Sequence, residues 1–273
     1  MAMDDQSDNG HRDRDIIQSL ERGITVLRAF AEVRTRPTIA DLASAVGLSR
    51  PVVRRIMLTF ERLGYAHQYR GEWVLTPRVL EMGQGYFSGE SLPEIAQPHL
   101  QMVADRTEES TSVSVLDGAD VVHVARVEVK RIMPYAVRVG SRLPAHATAM
   151  GHVLLGALSA DGLEHYFEVA ELVDFTPATM SGKAALQDCV AEAREQGYSL
   201  SVEELEPGML AVAVPITVRG RVIATLSSTS TTARTSAEAL LRDVVPLLKA
   251  TAGEIAQDYY LSNRENGVFP RSE

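Results

Sequence analysis

The chain holds one cysteine among its 273 residues, Cys189. A lone thiol excludes an internal disulfide framework and any metal site built on several cysteines. It fits a reducing cytoplasm, which is the expected location. Every apolar run falls far short of the ~20 residues that a membrane-spanning helix needs, so no membrane partner is expected. The first fifteen residues are polar, carry both signs of charge and do not read as a secretory signal. Repeats and low-complexity tracts are absent. So is the G-x-S-x-G elbow of serine hydrolases. No set of histidines and carboxylates has metal-ligand spacing. Catalytic residues, a metal and a cofactor are therefore not expected. The weakest alternative is a hydrolase on the C-terminal half, pairing a serine with His146.

Positive charge is scarce as well, at a net −9, but the scarcity is uneven. Residues 1–90 balance 12 Arg against 12 Asp and Glu, and the deficit lies wholly beyond them. Residues 34–70 carry seven Arg (34, 36, 50, 54, 55, 62 and 70) against Asp41 and Glu61. One basic face is enough to draw a phosphate backbone, whatever the charge elsewhere.

That stretch has the punctuation of a helix-turn-helix. Apolar residues recur at helical spacing over 16–32. Thr38 is a candidate N-cap with Asp41 three residues on, a capping box with Asp in place of Glu. A helix over 39–46 should end at Gly47, in a left-handed turn. Ser49 should cap a third helix over 50–63, with Pro51 in its first turn and Gly64 as its stop. Leu42, Ala43 and Val46 can face Val53, Ile56, Met57 and Phe60, and the small Ala43 lets the backbones approach. Two strand-like runs around Arg70-Gly71 read as a hairpin, the wing. The expected DNA contacts are Thr38, Ser49, Arg50, Pro51, Val52, Arg54, Arg55 and Thr59, with Arg70 on the wing. A recognition helix presents its N-terminal residues to base edges, and arginine binds guanine O6 and N7 through two parallel donors.

Beyond it, a helix is expected over 76–87, a linker over 88–93 and an amphipathic helix over 92–106. Strands follow over 111–116, 121–129, 133–139, 198–203, 209–218 and 221–229. Helices are expected over 148–158, 163–169, 184–196 and 236–260. This is an α+β domain on an antiparallel sheet with flanking helices. The domain reading is a flexible arm 1–14, a winged helix-turn-helix 15–76, a linker helix 77–91, an effector domain 92–262 and a tail 263–273.

From about Gly23 to Tyr259 the chain resembles the IclR family of bacterial regulators. Arg22-Gly-Ile-Thr-Val-Leu-Arg-Ala-Phe30 and the segment from Leu42 to Tyr65 match its N-terminal pattern. Val139-Gly-Ser-Arg-Leu-Pro-Ala-His-Ala-Thr-Ala-Met-Gly151 matches its most distinctive stretch. Gln196-Gly-Tyr198, Glu203-Glu204 and Ala211-Val-Ala-Val-Pro215 continue the match. The 131–151 stretch is most similar to the Pca and Pob regulators of aromatic acid breakdown in the β-ketoadipate pathway. Arg50-Pro51-Val52-Val53 departs from the family's Ser/Thr-Thr-Val triplet, so the operator sequence cannot be carried over. The resemblance implies a winged helix-turn-helix joined to a GAF-like (profilin-like) effector domain. It implies a transcriptional regulator rather than an enzyme. Its partners would be a pseudo-palindromic operator in double-stranded DNA and a second copy of the chain, as a dimer or a dimer of dimers.

A small organic acid is the expected effector, either an aromatic acid or ring-cleavage product, or alternatively an aliphatic acid such as glyoxylate or pyruvate. The helix start at Thr148, Ala149, Met150 and Gly151 offers backbone donors and small residues to a carboxylate. The resemblance adds Tyr135, Ala211, Val214, Ser227 and Thr229. Arg138 and His146 complete the expected set, each against a second reading: alternation with Val137 and Val139 points Arg138 outward, and His146 can instead bond the loop backbone in a structural role. His123, in an apolar strand, reads as a core histidine.

Overall fold

A computed structural model describes residues 16–33, 35–87, 91–129 and 137–264. The expected arm 1–14, Tyr135 and most of the expected tail lie outside the described residues. The chain divides into two compact units, Met1–Tyr86 and Phe87–Glu273.

The first unit holds α1 (Gln18–Ala29), α2 (Ile39–Val46), α3 (Arg50–Leu63), β1 (Ala66–Tyr69) and β2 (Glu72–Leu75). Local chemistry sets these bounds. The Thr38 hydroxyl accepts the Asp41 N–H at 3.3 Å, and Asp41 Oδ2 accepts the Thr38 N–H at 2.7 Å. Gly47 and Gly64 end α2 and α3 with φ of 66° and 83°, where a side chain would be strained. Val26, Leu42, Val53, Met57, Phe60 and Trp73 form the core. The Trp73 N–H donates to the Pro37 carbonyl at 2.8 Å and so ties the hairpin to the entrance of α2. Tyr69 pairs with Glu72, leaving Arg70 and Gly71 as a two-residue turn. Both have positive φ, 52° and 84°, as a type I′ turn requires. The single helix expected over 76–87 is instead a 3-10 turn, Pro77–Leu80, followed by α4 (Glu81–Phe87).

The second unit contains α5 (Leu92–Thr107), β3 (Ser110–Asp117), β4 (Asp120–Val127), β5 (Arg142–Pro144), α6 (Ala149–Gly156), α7 (Ala160–Val169), α8 (Lys183–Gln196), β6 (Ser199–Val202), β7 (Met209–Val218) and β8 (Arg221–Thr231). The strands form one antiparallel sheet in the order β5-β4-β3-β8-β7-β6. A closing segment runs through a helical turn (Ala237–Ala239) and a π turn (Leu240–Val244) into α9 (Val245–Asn263). A continuous helix was expected there. Pro246 has no N–H for the carbonyl four residues back, and the wider π turn absorbs the break. On one face of the sheet α5 and α9 bury Leu100, Val212, Val214, Leu226, Leu248 and Ile255. On the other, α6 and α8 bury Met150, Val153, Leu155, Leu186 and Val190 with Ala211 and Ala213.

Two local features decide what this second face presents. The strand expected over 133–139 lies partly outside the described residues. Residues 137–139 are a loop whose Gly140 N–H returns to the His123 carbonyl at 2.8 Å. The edge strand is β5, further on. In β4, Val113 pairs with Ala125 while Ser114 pairs with His123, leaving Val124 as a bulge. In a regular strand His123 and Arg126, three apart, would point to opposite faces. The extra residue puts both on the face beneath α6.

Candidate nucleic-acid interface and ligand cavity

On α3 the buried stripe is Val53, Met57 and Phe60. At 100° per residue, Arg55 lies opposite this stripe, and Arg50 and Arg54 follow one another on one flank. That flank leads to the hairpin, where Glu61 Oε1 accepts the Gln68 N–H at 3.3 Å. Ser49, Arg50, Pro51, Arg54, Arg55 and Arg70 are all exposed. Arg50 and Arg54 thus share one surface, and Arg55 stands further round, at the groove beside α1. Val52 and Thr59 turn to the groove beside α1. The Thr59 hydroxyl donates to the Arg55 carbonyl at 2.9 Å, and the Thr38 hydroxyl is held by Asp41. Both are engaged in local helix bonds. At the wing tip, Arg70 and Arg36 lie over the Tyr69 ring, at 5.2 and 5.8 Å from its centre.

The second unit encloses a cavity of about 290 Å³ beneath α6. This is near the lower end of the range for small-molecule sites, about 300–1,000 Å³. Leu143, Met150, Phe175, Met209 and Ala211 supply apolar wall. His123, Arg126 and Glu204 supply polar groups that the sequence reading had not placed there. Arg126 Nη1 donates to Ser112 Oγ at 2.8 Å, while its buried Nε has no partner among the described residues. Burial lowers its pKa, opposed by the nearby Glu128. Arg126 lines the cavity, and a guanidinium beside a small cavity can anchor a carboxylate. His123 Nδ1 meets Ser114 Oγ at 3.0 Å, and its Nε2 is unpartnered among the described residues. Burial, and then the Arg126 charge, lower its pKa to about 4, so the ring is neutral.

Of the expected effector residues, Thr148, Met150, Ala211 and Thr229 line the cavity. Others do not reach it. Val214 packs on the opposite face with the α5–α9 core, because side chains alternate along β7 and Ala211 already faces the cavity. Arg138 is exposed in the loop before β5. His146 is fully covered, its Nε2 meeting the Val173 carbonyl at 3.0 Å and its ring stacked 5.8 Å from Phe175. It props the loop that carries the Phe175 wall. Ser227 donates to the Ser112 carbonyl at 3.3 Å, within the sheet. Ala149 is buried in the helix–sheet core. Gly151 meets the Ala145 backbone rather than a ligand, and its N–H donates to Thr148 Oγ1 at 3.1 Å. The small residues here let the 3-10 turn Ala145–Ala147 lie against α6.

Behind the cavity sits a buried polar cluster. His152 Nε2 bonds the His146 carbonyl at 2.8 Å, and its Nδ1 lies 3.2 Å from Ser199 Oγ and 3.3 Å from Cys189 Sγ. Burial lowers the His152 pKa to about 4, against the carbonyl bond that raises it. Burial pushes the Cys189 thiol up to about 12, with Glu204 and Glu192 adding to it. Both groups stay neutral at ordinary pH.

The family model described as "IclR helix-turn-helix domain" matches residues 19–70, and that of "Bacterial transcriptional regulator IclR C-terminal" matches residues 84–257. The Pca operon regulatory protein of Acinetobacter baylyi is 35% identical over 89% of this chain and 90% of its own length. The p-hydroxybenzoate hydroxylase transcriptional activator of the same organism is 36% identical over 89% and 92%. An IclR homologue from Microbacterium hydrocarbonoxydans, solved in complex with 4-hydroxybenzoate, superposes with a TM-score of 0.78. It is 27% identical over 89% of this chain and 100% of that one.

Proposed function

This chain belongs to the IclR family of bacterial DNA-binding transcriptional regulators, and from that premise we propose that a small aromatic acid in the cavity of its second unit sets its grip on operator DNA. The carrying observation is the cavity itself. It is sized for one ring, walled by apolar side chains and lined by the guanidinium of Arg126. The names of the two Acinetobacter relatives and the ligand of the Microbacterium homologue support an aromatic acid over glyoxylate or pyruvate. Calorimetry against benzoates and short aliphatic acids tests this. Binding of the aliphatic acids alone would overturn it. Arg126→Met should weaken acid binding by about 1.5–3 kcal/mol, the usual worth of a hydrogen bond to a charged group. Its melting temperature should fall only slightly, since no buried charge is left behind and the Ser112 hydroxyl loses one hydrogen bond.

In this proposal Arg50, Arg54 and Arg55 read the major groove from α3, Ser49 and Pro51 set the helix start against the backbone, and Arg70 reaches from the wing. Two copies bind a pseudo-palindromic operator. Arg54→Ala or Arg55→Ala should cost about 1–3 kcal/mol of operator affinity in a gel shift if that arginine contacts a base pair. Affinity should fall steeply with salt, each neutralised phosphate adding about −0.9 to the log–log slope. Salt-independent binding would remove the arginine face from the interface.

A further inference from the structure

We infer that Glu204 enters the cavity as a carboxylic acid and donates a hydrogen bond to a second, remote oxygen of the effector. The preferred ligands are then acids with a hydroxyl or carboxyl at the end away from the carboxylate that Arg126 holds. This rests on the cavity being an organic-acid site, and it adds which acids that site prefers.

Glu204 stands two residues past β6 and is only 4% exposed. Its carboxyl accepts from the Ser201 hydroxyl and the Val202 N–H. Oε2 has no hydrogen-bond partner among the described residues. A buried polar atom without a partner is costly, and this one belongs to a residue that lines the cavity. Arg126 lies on β4 and Glu204 beyond β6, with β3, β8 and β7 between these strands. The two groups therefore line the same face of the sheet from opposite ends of the strand order.

The charges around Glu204 decide its protonation. His152 Nε2 is 3.5 Å from Oε2, but it is committed to the His146 carbonyl and the ring is neutral. Cys189, on α8, keeps its proton. Among the described lining residues, Arg126 is the sole cation, facing Glu128, Glu204 and Glu206. An anionic ligand on Arg126 adds a further negative charge, which favours a proton on the most buried carboxyl. Glu204 is the most buried of the three, and burial already raises it to about 7. With a proton it donates to a ligand oxygen, and with none it repels a second carboxylate while still accepting from a ligand hydroxyl.

The test is calorimetry on the full chain between about pH 6 and 8.5, with benzoate, 4-hydroxybenzoate and adipate, for wild type, Glu204→Gln and Glu204→Ala. Binding of adipate by wild type should be flat below about pH 7 and weaken up to tenfold per pH unit above it, while 4-hydroxybenzoate, whose hydroxyl can donate to the ionised carboxylate, should change less. Glu204→Gln keeps a neutral donor and should flatten that dependence, while affinity at pH 6 stays within about threefold of wild type. Glu204→Ala should weaken the two-ended acids by about tenfold at pH 6 and leave benzoate nearly unchanged. Wild-type affinity for adipate independent of pH would overturn the inference. So would a Glu204→Ala loss equal for benzoate and the two-ended acids, which marks a purely structural role. If no acid binds wild type at any pH, the acid-site reading fails first and takes the inference with it.

Discussion

Gly151→Ala is expected to unfold the effector unit, at a cost of about 4 kcal/mol or more. A Cβ on Gly151 would lie 1.8 Å from the Ala145 carbonyl oxygen and 2.4 Å from two further backbone atoms. No side chain can swing away to relieve this, because the obstacle is main chain. Either α6 or the turn Ala145–Ala147 must move by more than an ångström. The turn is fixed by His146, which stacks on Phe175 and bonds the Val173 carbonyl. It is fixed again by the His152 bond to the His146 carbonyl. Strain therefore spreads through the whole cavity wall. Gly253→Ala is the matched control. It also sits inside a helix, α9, with nothing within 4 Å of its added Cβ, and should stabilise by about 0.5–1 kcal/mol. Urea unfolding followed by far-UV circular dichroism measures both. The one tryptophan, Trp73, is in the first unit and separates the two responses. Its fluorescence should stay native in Gly151→Ala while the ellipticity falls. A Gly151→Ala midpoint equal to wild type would refute the packing argument.

The first unit was legible because its signals are short-range. Thr38 and Asp41, Gly47, Pro51, Gly64 and the Arg70-Gly71 turn each fix local geometry within a few residues, and the structure has each where the spacing puts it. The cavity was legible only in part, because its walls are set by strand parity and tertiary approach. Ala211 and Val214 cannot share a face of a regular strand, so parity alone would have removed Val214. Arg126 was hidden for the opposite reason. A bulge at Val124 breaks the alternation, and no residue type there announces it. Glu204 belongs to a matched family motif, but its burial comes from contacts that sequence does not display. Thr176 and Thr179, from a distant loop, donate to its carbonyl at 3.3 and 2.6 Å. The small residues of the Pro144–Gly151 stretch are expected to let a ligand approach the backbone. What approaches Gly151 is the chain itself.

Lowering the pH from about 6.5 to 4 is expected to remove about 3 kcal/mol of stability for each of His123 and His152. Both are buried, and both titrate near 4 when folded against 6.5 when free. A lowered folded pKa means the unfolded chain takes up the proton first. The stabilisation is full above 6.5 and is lost as the pH falls through the folded value. Glu204 has the opposite sign. Its pKa rises from 4.5 to about 7, so its contribution is full below 4.5 and is lost as the pH climbs through 7. Between these limits one carboxyl offsets about half of what two histidines do. Wild-type stability should thus rise by only about 3 kcal/mol from pH 4 to 6.5. Glu204→Gln removes the offset. It should match wild type near pH 4.5 and exceed it by about 3 kcal/mol above pH 7, measured by urea unfolding. An equal difference at both pH values would show that Glu204 does not titrate in the fold. His152→Asn should halve the acid limb, whatever it does to stability at neutral pH. The same titrations bear on recognition. A histidine that stays neutral down to about pH 4 cannot serve as the cation for a carboxylate. Among the described residues of the cavity wall, Arg126 is left as the group that can.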